Sequence, residues 1–266
     1  MGQALKTPQQ IIAAAEDSGA AKSHISDHQL SRLALLSILA GAYIALGGTL
    51  SVVAGYGFGP LSSTYPAIQR LISGATFPLG LILVVVLGAE LFTGNNAMLI
   101  PSYMARRHGL GSVARNWTLV WLGNFVGALL VVWLLVWLPG LFSAGYYREA
   151  VIKIAQAKVT MPWLSVLAKG IGANWCVCLA LWLAMSGHTL IEKMAGCWLP
   201  VMAFVAIGYE HSIANMFFIP TGMLEGADVG VWQMFWCNLL PATIGNIIGG
   251  ALFVGCAYAW LYRNRS

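Results

Sequence analysis

The stretch GYEHSIANM, residues 208–216, places a glutamate and a histidine side by side inside a long apolar segment. That segment runs from about residue 194 to about residue 223 and is otherwise able to cross a membrane. Ionisable side chains are rare at such a depth, because moving a charge into hydrocarbon is costly, and those present usually face a polar cavity or a transport path. The stretch therefore predicts an interrupted transmembrane helix whose Glu210 and His211 lie inside the protein.

The composition indicates an integral membrane protein. Hydrophobic residues make up 59% of the 266 positions and charged residues only 9%, whereas soluble domains carry about 25% charged residues. The net charge of +5 is spread over short loops, so we predict no nucleic-acid partner. The N-terminus, MGQALKTPQQ, lacks the apolar core of a cleavable signal peptide.

The cysteines do not have the spacing of a metal site. All of them fall inside apolar segments, and the C-x-C at Cys176 and Cys178 has no second pair at zinc-binding distance in the sequence. We therefore predict buried free thiols, no metal and no cofactor.

Six apolar segments predict an all-α membrane protein with six transmembrane helices. They cover, approximately, residues 30–56, 67–103, 116–138, 162–185, 194–223 and 231–262. The second and fifth segments exceed the ~20 residues that a bilayer requires, and both contain polar interruptions. Between these segments, residues 143–161 and 187–193 are interpreted as polar connections.

The two ends of the chain are predicted to lie in the cytoplasm. An even number of spans puts both termini on one side, and most basic residues flank the spans on that side. Residues 1–27 are predicted to form a surface helix, since Thr7 and Pro8 suit its N-cap and first turn; a solvated leader and a gate remain open. Residues 28–262 form the transmembrane domain and 263–266 a cytoplasmic tail.

The two halves of the chain resemble each other weakly. Residues 122–129 read LGNFVGAL and residues 244–252 read IGNIIGGAL. The second and fifth segments are both interrupted at Gly-x-Glu, at Glu90 and at Glu210. Because each half has three spans, the second half must be inverted relative to the first. Two interrupted helices at matching positions of an inverted repeat indicate a transport site.

The interruptions need polar groups around them. Lipid cannot satisfy an unwound backbone, so protein or a wet cavity must enclose it. Glu90 and Glu210 are interpreted as structural, accepting from backbone N–H groups and holding the interruptions open, while His211 can exchange a proton near neutral pH. Lys158 is either an anion-attracting lysine or a solvated loop residue. Further hydrogen-bonding side chains beside the interruptions are Thr93, Asn95, Asn96, Ser212 and Asn215.

These motifs resemble those of the formate/nitrite transporter family, over about residues 7–262. The most specific pieces are GAELFTG at 88–94, GYEHSIANM at 208–216, ANWCVCLA at 173–180 and GNIIG at 245–249. The resemblance implies an aquaporin-like arrangement of six helices in a homopentamer with one pore per subunit. It also implies the inner (cytoplasmic) membrane of a bacterium, with membrane lipid around the assembly.

The resemblance assigns roles to single residues. His211 would be the central histidine, with Thr93 and Asn174 as polar partners and Lys158 as a vestibule lysine. Two hydrophobic constrictions are implied: an outer one formed by Phe77 and Phe204, and an inner one formed by Leu81, Phe92 and Val177. The loop that interrupts the second helix would contain Leu91, Phe92 and Thr93.

The function implied is transport of a small monovalent weak-acid anion, formate or nitrite, as a channel or transporter. A bare anion loses its hydration between apolar rings, so taking a proton at the level of His211 would let it cross as a neutral acid. Hydrosulfide or another small anion is an alternative within the family, and an ammonium-type neutral-gas channel is one outside it. An enzyme is not expected, since no H-E-x-x-H or Ser/Lys pattern is present.

Overall fold

The computed structural model describes residues 4–263, so residues 1–3 and the predicted tail at 264–266 lie outside the described chain. Within 4–263 every regular element is a helix, which confirms the all-α fold class. Six helices are long and apolar enough to cross a membrane: α2 (Leu30–Tyr56), α4 with α5 (Pro66–Leu87), α7 with a π-helical end (Leu110–Trp137), α9 (Trp163–Ser186), α10 (Leu190–Ile207) and α12 to α14 (Val231–Tyr262).

The other helices are shorter and complete the fold. They are α1 (Pro8–His28), α3 (Pro60–Thr64), α6 (Phe92–Met104), α8 (Gly145–Thr160) and α11 (Ser212–Leu224). Within the longer spans, the parts are α4 (Pro66–Thr76), α5 (Leu79–Leu87), α7 (Leu110–Val131), α12 (Val231–Gln233), α13 (Leu240–Ile247) and α14 (Ala257–Tyr262). π-helical turns connect α12 to α13 and α13 to α14.

Helix α1 begins as its sequence predicts. The Thr7 hydroxyl accepts from the Gln10 N–H at 3.3 Å, and the Gln10 side chain accepts from the Thr7 N–H at 2.9 Å. The helix is not a freely solvated leader, because Ile11, Ile12 and Ala15 are buried and α1 packs against α6.

Two of the predicted polar connections are wrong. Residues 145–160 form helix α8, whose Val151, Ala155 and Val159 recur every four residues and are buried on one face. Residues 190–193 form the first turn of α10, because the Thr189 side chain caps the helix by accepting from the Glu192 N–H at 3.3 Å. Helix α8 and the first turn of α10 contain many polar residues, so hydropathy alone does not reveal them.

Glycine ends two helices in a backbone conformation that other residues rarely adopt. Helix α5 ends at Leu87 and Gly88 has φ 72°, while α10 ends at Ile207 and Gly208 has φ 85°. Extended residues follow each glycine, and the next helices begin at Phe92 and Ser212. We call residues 88–91 the first linker and residues 208–211 the second linker.

Other glycines allow helices to cross closely. A Cβ atom at Gly127 on α7 would collide with the Ile38 carbonyl on α2, and one at Gly249 would collide with the Ile171 carbonyl on α9. These glycines therefore act as packing residues at the helix crossings.

Candidate functional site

The carboxylate of Glu210 in the second linker is buried and fully partnered. Both of its oxygens accept from the Lys158 ammonium at 3.1 Å. The same carboxylate accepts from Asn215 Nδ2 at 2.6 Å and from Asn238 Nδ2 at 3.0 Å. Asn238 Nδ2 also reaches the Lys158 carbonyl at 3.0 Å, which fixes the end of α8 over the linker.

The first linker has the same set of partners. Glu90 accepts from the Lys22 ammonium at 2.8 Å and from Asn95 Nδ2 at 2.7 Å. Asn95 Nδ2 also donates to Asn116 Oδ1 at 2.9 Å, and Asn116 Nδ2 lies 3.4 Å from the Lys22 carbonyl. Helix α1 thus supplies to the first linker what α8 supplies to the second.

The carboxylates do not do what the sequence predicts of them. The prediction was that Glu90 and Glu210 accept from backbone N–H groups, and it is wrong, since their hydrogen-bond donors are lysine and asparagine side chains. Lys158 is likewise not a solvated loop residue: it lies in the last turn of α8, and its side chain is 15% exposed. The carboxylate of each linker is therefore neutralised by a lysine that is largely, though not fully, buried.

Asparagines on neighbouring helices satisfy the linker backbone instead. Asn246 Oδ1 accepts from the Ser212 N–H at 2.8 Å, and its Nδ2 donates to the carbonyls of Glu210 at 3.0 Å and Gly170 at 2.8 Å. The Glu210 N–H donates to the Lys169 carbonyl at 3.3 Å. One side chain therefore joins the linker to α9 and to the start of α11.

Asn124 makes the same contacts at the first linker. Its Oδ1 accepts from the Phe92 N–H at 2.9 Å, and its Nδ2 donates to the Glu90 and Ser37 carbonyls at 2.9 and 2.8 Å. The Glu90 N–H donates to the Leu36 carbonyl at 3.2 Å. These asparagines are the ones in the repeated Gly-Asn motif.

His211 closes the second linker and caps α11. Its Nδ1 lies 3.1 Å from the Ala214 N–H, which can only donate, so Nδ1 must accept and carry no proton. In the neutral ring the proton is then on Nε2, which lies 3.0 Å from Thr93 Oγ1. The side chain of His211 is 2% exposed, so its tautomer is fixed by two buried contacts, one from each linker region.

The structure brings Thr93 to the imidazole and gives Asn174 a different position. Asn174 Nδ2 donates to the Thr93 carbonyl at 3.1 Å, to Asn96 Oδ1 at 3.1 Å and to the Asn246 carbonyl at 2.6 Å. Asn174 therefore holds the backbone beneath Thr93 and ties α9 to α6 and α13.

A cavity of about 190 Å³ leads from the α8 side to His211. We call it the α8-side cavity, lined among others by Arg70, Phe77, Lys158, Phe204, Glu210, His211 and Phe218. The Phe204 ring stacks on His211 with centroids 5.7 Å apart, and Phe77 meets Phe204 edge-on at 5.9 Å. Phe218, which the sequence does not single out, stacks on Phe77 at 6.3 Å. Aromatic rings thus surround the histidine where the cavity ends.

A second cavity, of about 220 Å³, lies on the α1 side. We call it the α1-side cavity, and its wall includes Lys22, Leu81 and Leu91. Among described residues that wall does not include Phe92 or Val177: Phe92 lines a separate apolar cavity with Trp117 and Trp121, and Val177 is buried in the core. Leu81 and Leu91 therefore share this cavity wall, while Phe92 and Val177 belong to the same hydrophobic core without lining it.

Several residues of the site have no assignment from the sequence alone. The residues without an assigned role are Lys22, Asn116, Asn124, Asn238 and Asn246. The repeat could have revealed the four asparagines. Asn124 and Asn246 occupy the same place in the Gly-Asn motif. The spacing from Asn116 to Asn124 equals the spacing from Asn238 to Asn246.

The helices and the site define a multi-pass integral membrane protein with a buried histidine at the end of one of its two cavities. A family model described as formate/nitrite transporter matches residues 9–260. The chain belongs to the formate/nitrite transporter family, and the resemblance seen in the sequence is confirmed. Members of this family are transporters and channels, so family membership also confirms that an enzyme is not expected.

Individual relatives agree with this assignment. A protein described as a probable formate transporter, from Methanothermobacter thermautotrophicus, is 39% identical over 98% of this chain and 99% of its own length. Among solved structures, an FNT family ion channel is 31% identical with a TM-score of 0.87, covering 95% of this chain and 98% of that one. A pentameric formate channel with formate bound is 31% identical with a TM-score of 0.76, covering 88% and 98%.

Proposed function

We propose that this protein is a channel for small monovalent weak-acid anions, formate or nitrite first, which cross its centre as the neutral acid. The observation that carries the proposal is the position of His211. The imidazole is buried at the end of the α8-side cavity, hydrogen-bonded to Thr93. A pore for a permanent ion would need charge or carbonyl ligands at its centre, whereas this centre offers a neutral imidazole, a hydroxyl and aromatic rings.

The two linkers are proposed to be the interruptions of the second and fifth transmembrane helices. In this reading α5 continues as α6, and α10 continues as α11, in the two halves of an inverted repeat with an aquaporin-like arrangement. The matching partners of the two carboxylates support this repeat. Glu90 pairs with a lysine of α1 and an asparagine of α6, and Glu210 pairs with a lysine of α8 and an asparagine of α11.

The entry steps are assigned to the two cavities. Lys158 on one side and Lys22 on the other are proposed to begin replacing the hydration of the anion by N–H donors. Phe77 and Phe204 then form the outer constriction next to His211, and Leu81 and Leu91 form the inner one. Because an apolar ring disfavours the charged form, the proton affinity of the anion rises as it enters.

The proton is proposed to come from water in the cavity. The anion takes it from a hydronium ion, so that formate becomes formic acid and the hydronium ion becomes water. A neutral imidazole is a poor acid, and protonating His211 at Nδ1 would break its bond from the Ala214 N–H. His211 and Thr93 therefore act as hydrogen-bond partners of the neutral acid at the level where the charge is lost.

The assembly is proposed to be a homopentamer, by analogy with the solved relative described as a pentameric formate channel. Membrane lipid would surround it. Both termini are assigned to the cytoplasm of a bacterial cell and the chain to its inner membrane, with residues 4–27 as the described part of the cytoplasmic surface helix.

Flux through purified protein in liposomes tests the proposal. Initial uptake of formate, nitrite, hydrosulfide and methylammonium would be compared with uptake into protein-free liposomes over a range of pH. We expect formate or nitrite to move fastest, with rates that rise as the pH falls. Preference for hydrosulfide would favour the alternative within the family, and preference for methylammonium would overturn the proposal.

A further inference from the structure

The α8-side cavity carries one positive charge that nothing nearby compensates. Its charged wall residues are Arg70, Lys158 and Glu210. Both oxygens of the Glu210 carboxylate contact the Lys158 ammonium at 3.1 Å, so these two charges cancel when viewed from the mouth of the cavity. Arg70, on α4, is exposed and has no carboxylate within salt-bridge distance among residues 4–263.

We propose that Arg70 forms an outer anion subsite, at which the substrate waits before it reaches Lys158. This inference rests on the proposed function and names the residue that collects the substrate on the α8 side. The attraction must come from a net charge, because a neutral ion pair produces only a dipole field that falls off steeply with distance. A guanidinium also offers two parallel N–H donors to a carboxylate or to nitrite, which an ammonium cannot do.

The wall around Arg70 is held in place by hydrogen bonds between α4 and α2. Gln69 precedes it on α4 and donates from Nε2 to Ser73 Oγ at 2.8 Å. Ser73 Oγ in turn donates to the Ser51 carbonyl at 3.1 Å. The Tyr56 ring lines the same wall. These bonds tie the part of α4 that carries Arg70 to α2.

The α1-side cavity has no such surplus charge. Lys22 is the charged residue on the described part of its wall, and its ammonium is 2.8 Å from Glu90. Other basic residues near the α8 side do not line the α8-side cavity: Lys153 lies 3.7 Å from Glu149, Arg148 donates to the Glu225 carbonyl at 3.1 Å, and Lys169 lies 3.5 Å from Met161 Sδ. The subsite is thus specific to one mouth of the protein.

The test measures formate uptake in vesicles of both orientations, with the wild type, Arg70→Gln, Arg70→Lys and Lys153→Gln. One full charge near 4 Å in water corresponds to roughly a fivefold change in a binding constant. We therefore expect Arg70→Gln to raise the half-saturating formate concentration about fivefold in one vesicle orientation only, with the maximal rate unchanged. Arg70→Lys should recover part of the loss, and Lys153→Gln should behave like the wild type.

Ionic strength provides the second measurement. The difference between the wild type and Arg70→Gln should shrink as salt rises from about 0.1 M to about 1 M, where the Debye length falls from about 10 Å to about 3 Å. An unchanged half-saturating concentration in Arg70→Gln, or an equal change in both orientations, would overturn the subsite while leaving the proposed function intact. Absence of formate flux in the wild type would overturn both.

Discussion

Replacing Glu210 by glutamine would leave the largely buried Lys158 ammonium without a counter-charge. The two side chains are 5% and 15% exposed, and both carboxylate oxygens lie 3.1 Å from the ammonium. Breaking a buried pair by removing one partner typically destabilises a protein by about 3–5 kcal/mol. The new amide N–H group would also face a donor in either orientation: the Lys158 ammonium at the Oε1 position, or Asn215 and Asn238 at the Oε2 position. We expect Glu210→Gln to lower the free energy of unfolding by about 3–5 kcal/mol.

A second substitution separates the charge effect from a packing effect. Lys158→Met removes the stranded ammonium but keeps most of the apolar chain, so the double variant should recover to within about 1 kcal/mol of the wild type. The control is Glu149→Gln at an exposed pair, 65% and 76% exposed and 3.7 Å apart, where we expect a change below about 0.5 kcal/mol.

Unfolding in detergent, titrated with denaturant and followed by tryptophan fluorescence, measures all of these variants. The decisive comparison is between Glu210→Gln alone and the same substitution together with Lys158→Met. If the double variant is no more stable than the single one, the ion pair does not hold the second linker, and the structural role given to Glu210 is wrong.

Two further predictions concern the second linker. His211→Asn should preserve stability, because asparagine can also accept from the Ala214 N–H as an N-cap. The same variant should slow formate flux roughly fivefold, because the Nε2–H hydrogen bond near Thr93 is lost. His211→Phe should slow flux and also lower the free energy of unfolding by about 1 kcal/mol, so equal unfolding curves for the two variants would contradict the capping role. Asn246→Leu leaves the Ser212 N–H and the Glu210 carbonyl without their partner and should lower the free energy of unfolding by about 2–5 kcal/mol. Asn124→Leu is the matching variant at the first linker. A loss below about 0.5 kcal/mol, as at an exposed position, would contradict the role of these asparagines.

The transmembrane spans and the location of the site could be read from the sequence because their signals are local. The apolar segments at 30–56 and 231–262 match helices of the same bounds. The polar interruptions at Glu90 and Glu210 coincide with the linkers, since a glycine followed by an ionisable residue is conspicuous in an apolar segment. Helix α8 was missed because its buried stripe is narrow and its other residues are polar.

The partners of the linkers could not be predicted in the same way. Lys22 and Glu90 are separated by 68 positions, and nothing in the composition of α1 indicates that its lysine reaches the first linker. The tautomer of His211 likewise depends on the Ala214 N–H, which becomes a donor to the ring only once α11 begins at Ser212. Such contacts depend on how helices pack, and only the repeated Gly-Asn motif hints at them.

Proton movement with formate tests most directly whether the acid crosses in neutral form. Liposomes containing the purified protein and a trapped pH indicator would receive an inward formate gradient, with the membrane potential clamped and protein-free liposomes as the control. If the acid crosses neutral at the level of His211, each formate carries in a proton, the lumen acidifies in step with uptake, and the rate is independent of the clamped potential. Protein-dependent formate uptake that follows the potential and leaves the lumenal pH unchanged would contradict this mechanism.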